Sequence, residues 1–255
     1  MNTLTKLALG AMGQLHSKPA QGDATPKIAL PVPGMTGGMP LMEALSKRQS
    51  VREFTNQELP LALLSNLLWA ANGVNRPDKT GRTAPSAMNA QEIDIYVALP
   101  AGAYLYDAAA NALQLVAGSD LRRITGYQDF VDDAAMDLVL VADHSRMKLV
   151  PAASRESYAS VAAGAVAQNV YLFVAGNGLA TVIRAWISRD AIAAALGLGH
   201  DIRSCCHRPW ALRNANPRGE ITVRTISTAF RFRSYGNGQA SVPAGPADPS
   251  ARRRP

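Results

Sequence analysis

Apolar residues recur every three or four positions in several stretches of the chain, which is the spacing that buries one face of an α-helix. One such stretch begins at Glu58-Leu59-Pro60 and ends at Gly73, a residue that commonly terminates helices. Another begins at Pro40 and ends in the segment from Arg48 to Arg52, and longer helices are predicted over residues 155–177 and 189–196, the last capped by Ser188. The apolar positions of the first two helices are Leu63, Leu64, Leu67, Leu68 and Ala71, and Leu41, Ala44 and Leu45.

Other apolar segments are shorter and indicate strands. Residues 93–99 alternate between apolar and polar positions, and the turn at residues 100–102 leads into apolar stretches over 104–106 and 113–116, which predicts a small antiparallel meander. Continuous apolar runs over 137–142 and 181–187 favour buried strands, and residues 120–124 favour a short helix. Because strands and helices interleave without regular βαβ spacing, the predicted fold class is α+β.

Both ends of the chain differ from this middle part. Residues 18–40 contain five prolines and favour an extended arm, whereas periodicity stops after Gly199 and only residues 221–232 could form another packed element. With 255 residues, 47% of them hydrophobic and 18% charged, the chain can bury one full core. We therefore predict a flexible N-terminal arm over residues 1–38, one folded domain over 39–200, and a basic, low-order tail over 201–255.

The formal net charge of +7 lies entirely in the segment after residue 202, which is rich in arginine. A near-neutral body argues against a nucleic-acid-binding domain, although a basic tail that binds an anionic partner remains a weaker alternative. No apolar run is long enough to predict a transmembrane helix. Cys205 and Cys206 are adjacent and are not expected to pair with each other. The four histidines and two cysteines do not show metal-ligand spacing, so no metal site is predicted.

Two groups of polar residues flank the helix that ends at Gly73. Before it, Arg48, Ser50 and Arg52 supply guanidinium and hydroxyl donors of the kind that bind a phosphomonoester, and the two arginines are predicted to share a helical face. After it, the segment from Arg82 to Gln91 carries hydroxyl and amide groups. Taken alone, the first group could be an exposed basic helix end and the second a polar loop.

These residues resemble the FMN-dependent nitroreductase family, including its SagB-type oxidoreductases. The family's Arg-x-Ser-x-Arg and Pro-Ser-x-x-Asn-x-Gln segments match here, as do residues 164–172 and 178–182, so that the resemblance covers about residues 39–198. It implies a nitroreductase-like fold with a central, mostly antiparallel sheet flanked by helices, and a homodimer with flavin sites at the subunit interface. The FMN-binding residues that it implies are Arg48, Gln49, Ser50, Arg52, Pro85, Ser86, Asn89, Gln91, Gly178 and Leu179.

The resemblance also implies the chemistry. NAD(P)H would deliver hydride to FMN, and a nitroaromatic, a quinone or a similar small-molecule acceptor would then be reduced. Since the cofactor supplies that chemistry, no side chain is nominated as catalytic. Relatives that share the segment from Gly37 to Met42 often carry export signals, so we expect a periplasmic protein if the short apolar N-terminus is a signal, and a cytoplasmic one otherwise.

The end of the chain departs from the family, whose core usually closes with an apolar strand near Leu-Ser-Gln-Thr-Val-Gly. The corresponding residues here run from Cys205 to Trp210, and codons for this hexapeptide can spell the family's version when read two bases later. We therefore hypothesise a frameshift shortly after Leu198, which resequencing of the locus would test. An alternative function follows from it, namely a chain that keeps the fold but is inactive or flavin-free because its last strand is lost.

Overall fold

The computed structural model of the protein describes residues 1–52, 58–198 and 226–232. The α-helices formed by these residues are α1 (Thr3–Ala11), α2 (Leu41–Lys47), α3 (Leu61–Asn72), α4 (Ala152–Gly176) and α5 (Arg189–Ala195). Their strands are β1 (Lys18–Pro19), β2 (Lys27–Ala29), β3 (Val74–Arg76), β4 (Gly81–Arg82), β5 (Ile93–Leu99), β6 (Gly102–Asp107), β7 (Ala112–Ala117), β8 (Ser119–Asp120), β9 (Met136–Ala142), β10 (Leu179–Arg184) and β11 (Ile226–Phe232).

Seven of these strands form the central sheet, in the order β10-β11-β9-β5-β6-β7-β2. All of its neighbouring strands are antiparallel, which confirms the predicted α+β class and the meander of β5, β6 and β7. Every residue of β9 is buried, as its continuous apolar sequence predicts. The sheet is therefore the frame on which the candidate site residues are placed.

The strand β11 lies inside this sheet and not at its edge. Its backbone pairs with β9 on one side, from Ile226 opposite Leu140, and with β10 on the other, from Phe232 opposite Leu179. The expectation that the sheet lacks its last strand is therefore wrong, and within the predicted tail residues 226–232 are ordered as a strand. The hexapeptide from Cys205 to Trp210 lies outside the described residues, so the frameshift itself stays a prediction.

The long helix α4 covers one face of the sheet. It begins at Ala152, three residues before its predicted start, because Pro151 adopts an extended conformation at the N-cap and stops the helix from beginning earlier. Its buried residues pack with those of α3, in which Leu67 and Leu68 are fully buried, and each such leucine contributes about 1.5–3 kcal/mol through burial. The predicted boundaries of α3 are confirmed, with Gly73 at its C-cap.

Among the described residues, α4 is also the helix with enough length and apolar character to cross a membrane, with a mean hydropathy of 1.4 over its most apolar window. Its buried positions include Ala159, Val166, Val170 and Val174, which belong to the main apolar core. A core helix that is covered on one side by a sheet has the same composition as a spanning helix, and α4 occupies that core position here.

On the opposite face of the sheet, a second apolar cluster includes Tyr96, Val139, Ile187 and Ile192 and is partly covered by α5. This last helix starts where predicted, after Ser188, but the Ser188 side chain makes no capping hydrogen bond. The predicted capping role of Ser188 is therefore wrong, although its position is right.

The N-terminal segment is part of the fold, which corrects the prediction of a flexible arm over residues 1–38. Lys6 of α1 is completely buried, and its Nζ lies 2.5 Å from Asp132 Oδ1 and donates to the carbonyl oxygen of Gly126 at 3.3 Å. Burial lowers the pKa of Lys6, an effect that the Asp132 carboxylate partly offsets. Further along, β1 pairs with β8 and β2 with β7. Because lysine side chains are rarely buried, the sequence did not predict that Lys6 would be part of the core.

A buried ion pair ties β9 to β10 across the intervening β11. Arg184 Nη2 lies 2.6 Å from Asp137 Oδ1, and the Thr125 hydroxyl donates to Asp137 Oδ2 at 2.6 Å. The side chains of Asp137 and Arg184 are 0% and 2% exposed. Burial raises the pKa of Asp137, and the Arg184 charge acts against that rise.

Candidate functional site

The first group of predicted site residues follows α2 directly. Pro40 stands at the N-cap and the helix ends at Lys47, because Arg48 at the C-cap has the extended torsions φ −60° and ψ 122°. Three residues further on, the Val51 N–H donates to the Thr181 carbonyl oxygen at 2.9 Å, along the outer edge of β10. The prediction that Arg48 and Arg52 share a helical face is therefore wrong, since pairing with β10 replaces the last turn of the helix.

Tyr171 of α4 organises this segment. Its phenolic oxygen accepts the Ile183 N–H at 2.9 Å and lies 2.8 Å from Ser50 Oγ, while the Arg48 guanidinium lies over its ring at 5.3 Å from the centroid. Since the phenol already accepts from Ile183, it can donate its own proton to Ser50, which leaves the Ser50 hydroxyl proton for a ligand. Sequence reasoning did not identify Tyr171, because only the fold brings it to Ser50.

A cavity of about 300 Å³ lies beside this segment. Arg48 and Gln49 line it together with Gly178 and Leu179, so the fold brings together two pairs of residues that are far apart in sequence. Gly178 has φ +65°, a left-handed conformation that favours glycine. We call the six residues Arg48, Gln49, Ser50, Arg52, Gly178 and Leu179 the arginine cluster.

The charges of this cluster are available to an anion. Within residues 1–52, 58–198 and 226–232, neither Arg48 nor Arg52 forms an ion pair, and Arg52 is exposed. Lys47, by contrast, is paired with Glu43 at 2.6 Å. The arginine cluster thus combines two guanidinium groups, one hydroxyl and a glycine turn, which is a donor set suited to a phosphate group.

The second group of predicted residues precedes β5, and we call Pro85, Ser86, Asn89 and Gln91 the amide cluster. Met88, Asn89 and Gln91 have φ values of 53°, 52° and 51°, in the left-handed region that non-glycine residues seldom adopt. Each such residue costs of order 1–3 kcal/mol unless its surroundings hold it, and such strain concentrates at functional sites. The Ser86 hydroxyl helps to hold this turn by accepting the Gln91 N–H at 3.0 Å.

Two arginines outside the predicted set anchor the amide cluster. Arg82 donates from Nε to Gln91 Oε1 at 3.0 Å and from Nη1 to the Asn72 carbonyl oxygen at 3.2 Å. Arg146 donates to the Gln91 carbonyl oxygen at 2.8 Å and pairs with Asp94 and with Asp143. Arg82 is half-buried, and this burial lowers its pKa. The sequence placed Arg82 at the start of this donor segment but did not predict that Arg82 or Arg146 holds Gln91.

The two clusters of one chain lie far apart, as the strand register shows. Val51 pairs with β10 at Thr181, and the same row of residues crosses β11 and β9 to reach β5 near Leu99. Gln91 lies beyond the opposite end of β5, before Ile93. About four strand spacings and eight residues separate the two positions, which places them about 33 Å apart. Pro85, Ser86 and Asn89 line a separate cavity, also of about 300 Å³.

Other features of the described residues do not compete with these clusters. A larger cavity, of about 700 Å³, lies between α1 and α5, and none of the predicted site residues lines it. Its lining includes Arg189 next to Asp190, whose opposite charges do not form a set of anion-binding donors like that of Arg48, Ser50 and Arg52. No group of three or more histidine, cysteine, aspartate or glutamate residues that could hold a metal ion occurs among the described residues.

The fold is an antiparallel sheet covered by one long helix, with a basic cluster beside its edge strand and an amide cluster before a central strand. This is the architecture of a nitroreductase-like oxidoreductase. The chain belongs to the Nitroreductase family, whose model matches residues 45–207. It is similar to a Ralstonia eutropha JMP134 protein whose crystal structure was assigned to the nitroreductases, with 44% identity, a TM-score of 0.75, and coverage of 87% of this chain and 96% of that one.

Two further relatives extend the comparison. A Methanocaldococcus jannaschii protein, provisionally named a nitroreductase, is 33% identical over 153 residues, which are 56% of this chain and 76% of the relative. A chain of the Escherichia coli microcin synthetase McbBCD complex, solved with truncated pro-MccB17, is 17% identical with a TM-score of 0.57 and covers 91% of this chain and 93% of its own. At that identity the likeness concerns the fold alone.

Proposed function

We propose that the protein is an FMN-dependent oxidoreductase that passes hydride from NAD(P)H through the flavin to a small acceptor such as a nitroaromatic or a quinone. The observation that carries this proposal is the pair of donor clusters, one suited to a phosphate and the other to the polar edge of a ring. Family membership supports the oxidoreductase class. When bound, FMN would supply hydride acceptance and hydride transfer, and the protein would supply binding and orientation.

The residues present fit FMN in chemical terms. Arg48 and Arg52 would bind the phosphate, with the Ser50 hydroxyl oriented by Tyr171 at 2.8 Å as a further donor. The left-handed Gly178 allows the backbone at the start of β10 to approach the ligand closely. Asn89 and Ser86 would donate hydrogen bonds to the ring. No residue of the chain is assigned a proton transfer.

The separation of the clusters supports a homodimer. Because about 33 Å exceeds the reach of one FMN molecule, a single flavin can contact both clusters only if they come from two chains. The exposed side of α4 offers a surface for such an association, since Tyr158 and Val161 are 50% and 69% exposed, and the neighbouring Leu149 is 78% exposed. We therefore propose two sites per dimer, each with the arginine cluster of one chain and the amide cluster of the other.

The first test is the visible absorption spectrum of the purified protein, followed by titration with FMN. A protein that binds FMN and is bleached by NAD(P)H supports the proposal. Arg48→Ala and Arg52→Ala should each weaken FMN binding by about 1.5–3 kcal/mol, because each removes a charged hydrogen bond. Lys27→Ala, on the strand at the far edge of the sheet, is the matched control. A protein that takes up no FMN would reject the proposal.

Mixing two variants tests the shared site. Arg48→Ala/Arg52→Ala damages one cluster and Ser86→Ala/Asn89→Ala damages the other, so neither variant alone should bind FMN tightly. In mixed dimers one of the two sites combines the two intact clusters, which restores tight binding to about a quarter of all sites after random reassociation. Binding that stays weak in the mixture would show that both clusters act within one chain.

A further inference from the structure

The orientation of the Gln91 side-chain amide is fixed by groups that can only donate or only accept. A guanidinium cannot accept a hydrogen bond, so the amide atom that faces Arg82 Nε at 3.0 Å must be the oxygen Oε1. A carbonyl oxygen cannot donate, so the atom that faces the Thr80 carbonyl oxygen at 2.5 Å must be Nε2. Both ends of the Gln91 amide are therefore occupied within the chain.

Gln91 in turn fixes the orientation of Asn89. Its Nε2 also donates to Asn89 Oδ1, at 3.3 Å, so the oxygen of the Asn89 amide faces back into the protein. The Asn89 Nδ2 group consequently faces away from Gln91, on an exposed side chain. Ser86 also keeps a donor for a ligand. Its oxygen accepts the Gln91 N–H, so its hydroxyl proton can be donated to another group.

We propose that Arg82 is a positioning residue, which through Gln91 orients Asn89 so that the amide cluster presents hydrogen-bond donors to the acceptor atoms of the flavin ring. This inference rests on the proposed function and deepens it. Gln91 then does not touch the flavin, in contrast to the expectation that its amide meets the ring. Instead it relays the orientation set by Arg82 over two hydrogen bonds, at 3.0 Å and 3.3 Å.

The chemical consequence concerns the redox state of the cofactor. Reduction places additional electron density on the ring's carbonyl oxygens and nitrogens, and fixed donors bind electron-rich acceptors more strongly. An amide cluster of donors should therefore bind reduced FMN more tightly than oxidised FMN. An Asn89 amide rotated by half a turn would present its oxygen and would remove that preference.

The test compares the ratio of the FMN dissociation constants for the oxidised and the reduced state. Gln91→Glu keeps the size of the side chain and its contact with Arg82, but a carboxylate cannot donate to Asn89 Oδ1 or to the Thr80 carbonyl oxygen. We expect the ratio to fall about tenfold, which corresponds to a midpoint potential about 30 mV more negative for a two-electron couple. Arg82→Lys, which keeps the charge but loses the planar fork, should shift the ratio in the same direction.

Arg76→Ala is the control for charge. Arg76 donates to the Arg82 carbonyl oxygen at 3.5 Å, whereas the hydrogen bonds of Gln91 given above go to other residues. Because Arg76 also lines the cavity beside Ser86 and Asn89, this variant removes a positive charge from the same site and leaves the amide contacts in place, so the ratio should fall less than in Arg82→Lys. A ratio that falls in Arg76→Ala as much as in Arg82→Lys would overturn the inference in favour of a simple charge effect.

A second measurement needs no flavin. In flavin-free protein, the side-chain amide signals of Gln91 and Asn89 in nitrogen-15 NMR spectra should both move in Arg82→Lys, because the relay is broken. If Arg82 serves only to hold the Asn72 carbonyl oxygen, neither signal moves and the inference is overturned. A wild-type protein that binds FMN, with an unchanged ratio in Gln91→Glu, would overturn this inference alone, whereas failure to bind FMN would overturn the proposed function with it.

Discussion

Replacing Arg184 by methionine should destabilise the protein severely, because it leaves the Asp137 carboxylate buried without its cation. The pair is 2.6 Å long and its side chains are 2% and 0% exposed, so solvent cannot replace the lost partner. Removing one member of such a pair costs about 3–5 kcal/mol, a large part of the roughly 5–15 kcal/mol that stabilises a domain. The Thr125 hydroxyl would remain as a hydrogen-bond donor to Asp137.

The size of this loss should depend on pH. Burial already raises the pKa of Asp137, and removing the Arg184 charge raises it further. A carboxyl whose folded-state pKa lies above its unfolded-state value adds stability below the unfolded pKa, and this stability is lost as the pH rises through the folded pKa. The difference between variant and wild type should therefore be smallest near pH 4 and should grow towards neutral pH.

Urea unfolding followed by circular dichroism at several pH values measures this difference. Lys47→Met is the matched control, because Lys47 also belongs to an ion pair but is 54% exposed, and exposed pairs contribute about 0–1 kcal/mol. The variant Asp137→Leu/Arg184→Met should recover much of the stability, since apolar replacement of both partners removes the unpaired charge. A loss below about 1 kcal/mol in Arg184→Met, or a loss that does not change with pH, would refute this reasoning.

Three further predictions concern other parts of the molecule. Tyr171→Phe should cost about 0.5–1.5 kcal/mol in urea unfolding, because the Ile183 N–H loses its acceptor and Ser50 Oγ loses its partner, and an unchanged midpoint would contradict this role. Burial raises the pKa of Tyr96 and of Tyr106 to about 12, so these phenols should ionise late in an alkaline absorbance titration, and the stability that their neutral forms give below about pH 10 should be lost as the pH rises towards 12. FMN affinity should increase with protein concentration if two chains share each site, and concentration-independent binding would count against a shared site.

Local sequence patterns predicted a large part of this fold. The helix α3, the meander from β5 to β7 and the buried strand β9 all follow from the spacing of their own residues. The position of β11 could not be predicted in this way, because the spacing of apolar residues shows which face of a strand is buried but not the order of strands in a sheet. The buried Lys6 was unpredictable for a related reason, since its partner Asp132 is distant in sequence.

In the candidate site too, local patterns predicted some residues, whereas tertiary contacts determine the role of others. The motifs identified Arg48, Ser50, Asn89 and Gln91 as polar residues that could act together, and resemblance to a family supplied their expected ligand. The path of the backbone after α2 was predicted wrongly, because a helical extension and pairing with β10 compete and only the fold decides between them. Tyr171 and Arg82 depend on tertiary contacts, so neither could be found from the spacing of residues.

The place of β11 has a consequence for how the chain is made. Synthesis delivers β9, α4 and β10 before residues 226–232 exist, and at that stage the inner edges of β9 and β10 have no strand between them. Unpaired edges of buried strands are prone to wrong pairing, and contacts between distant segments form slowly. The inner edges of β9 and β10 therefore stay unpaired until residues 226–232 have left the ribosome, and a chain that stops before residue 226 would keep these two edges open to wrong pairing.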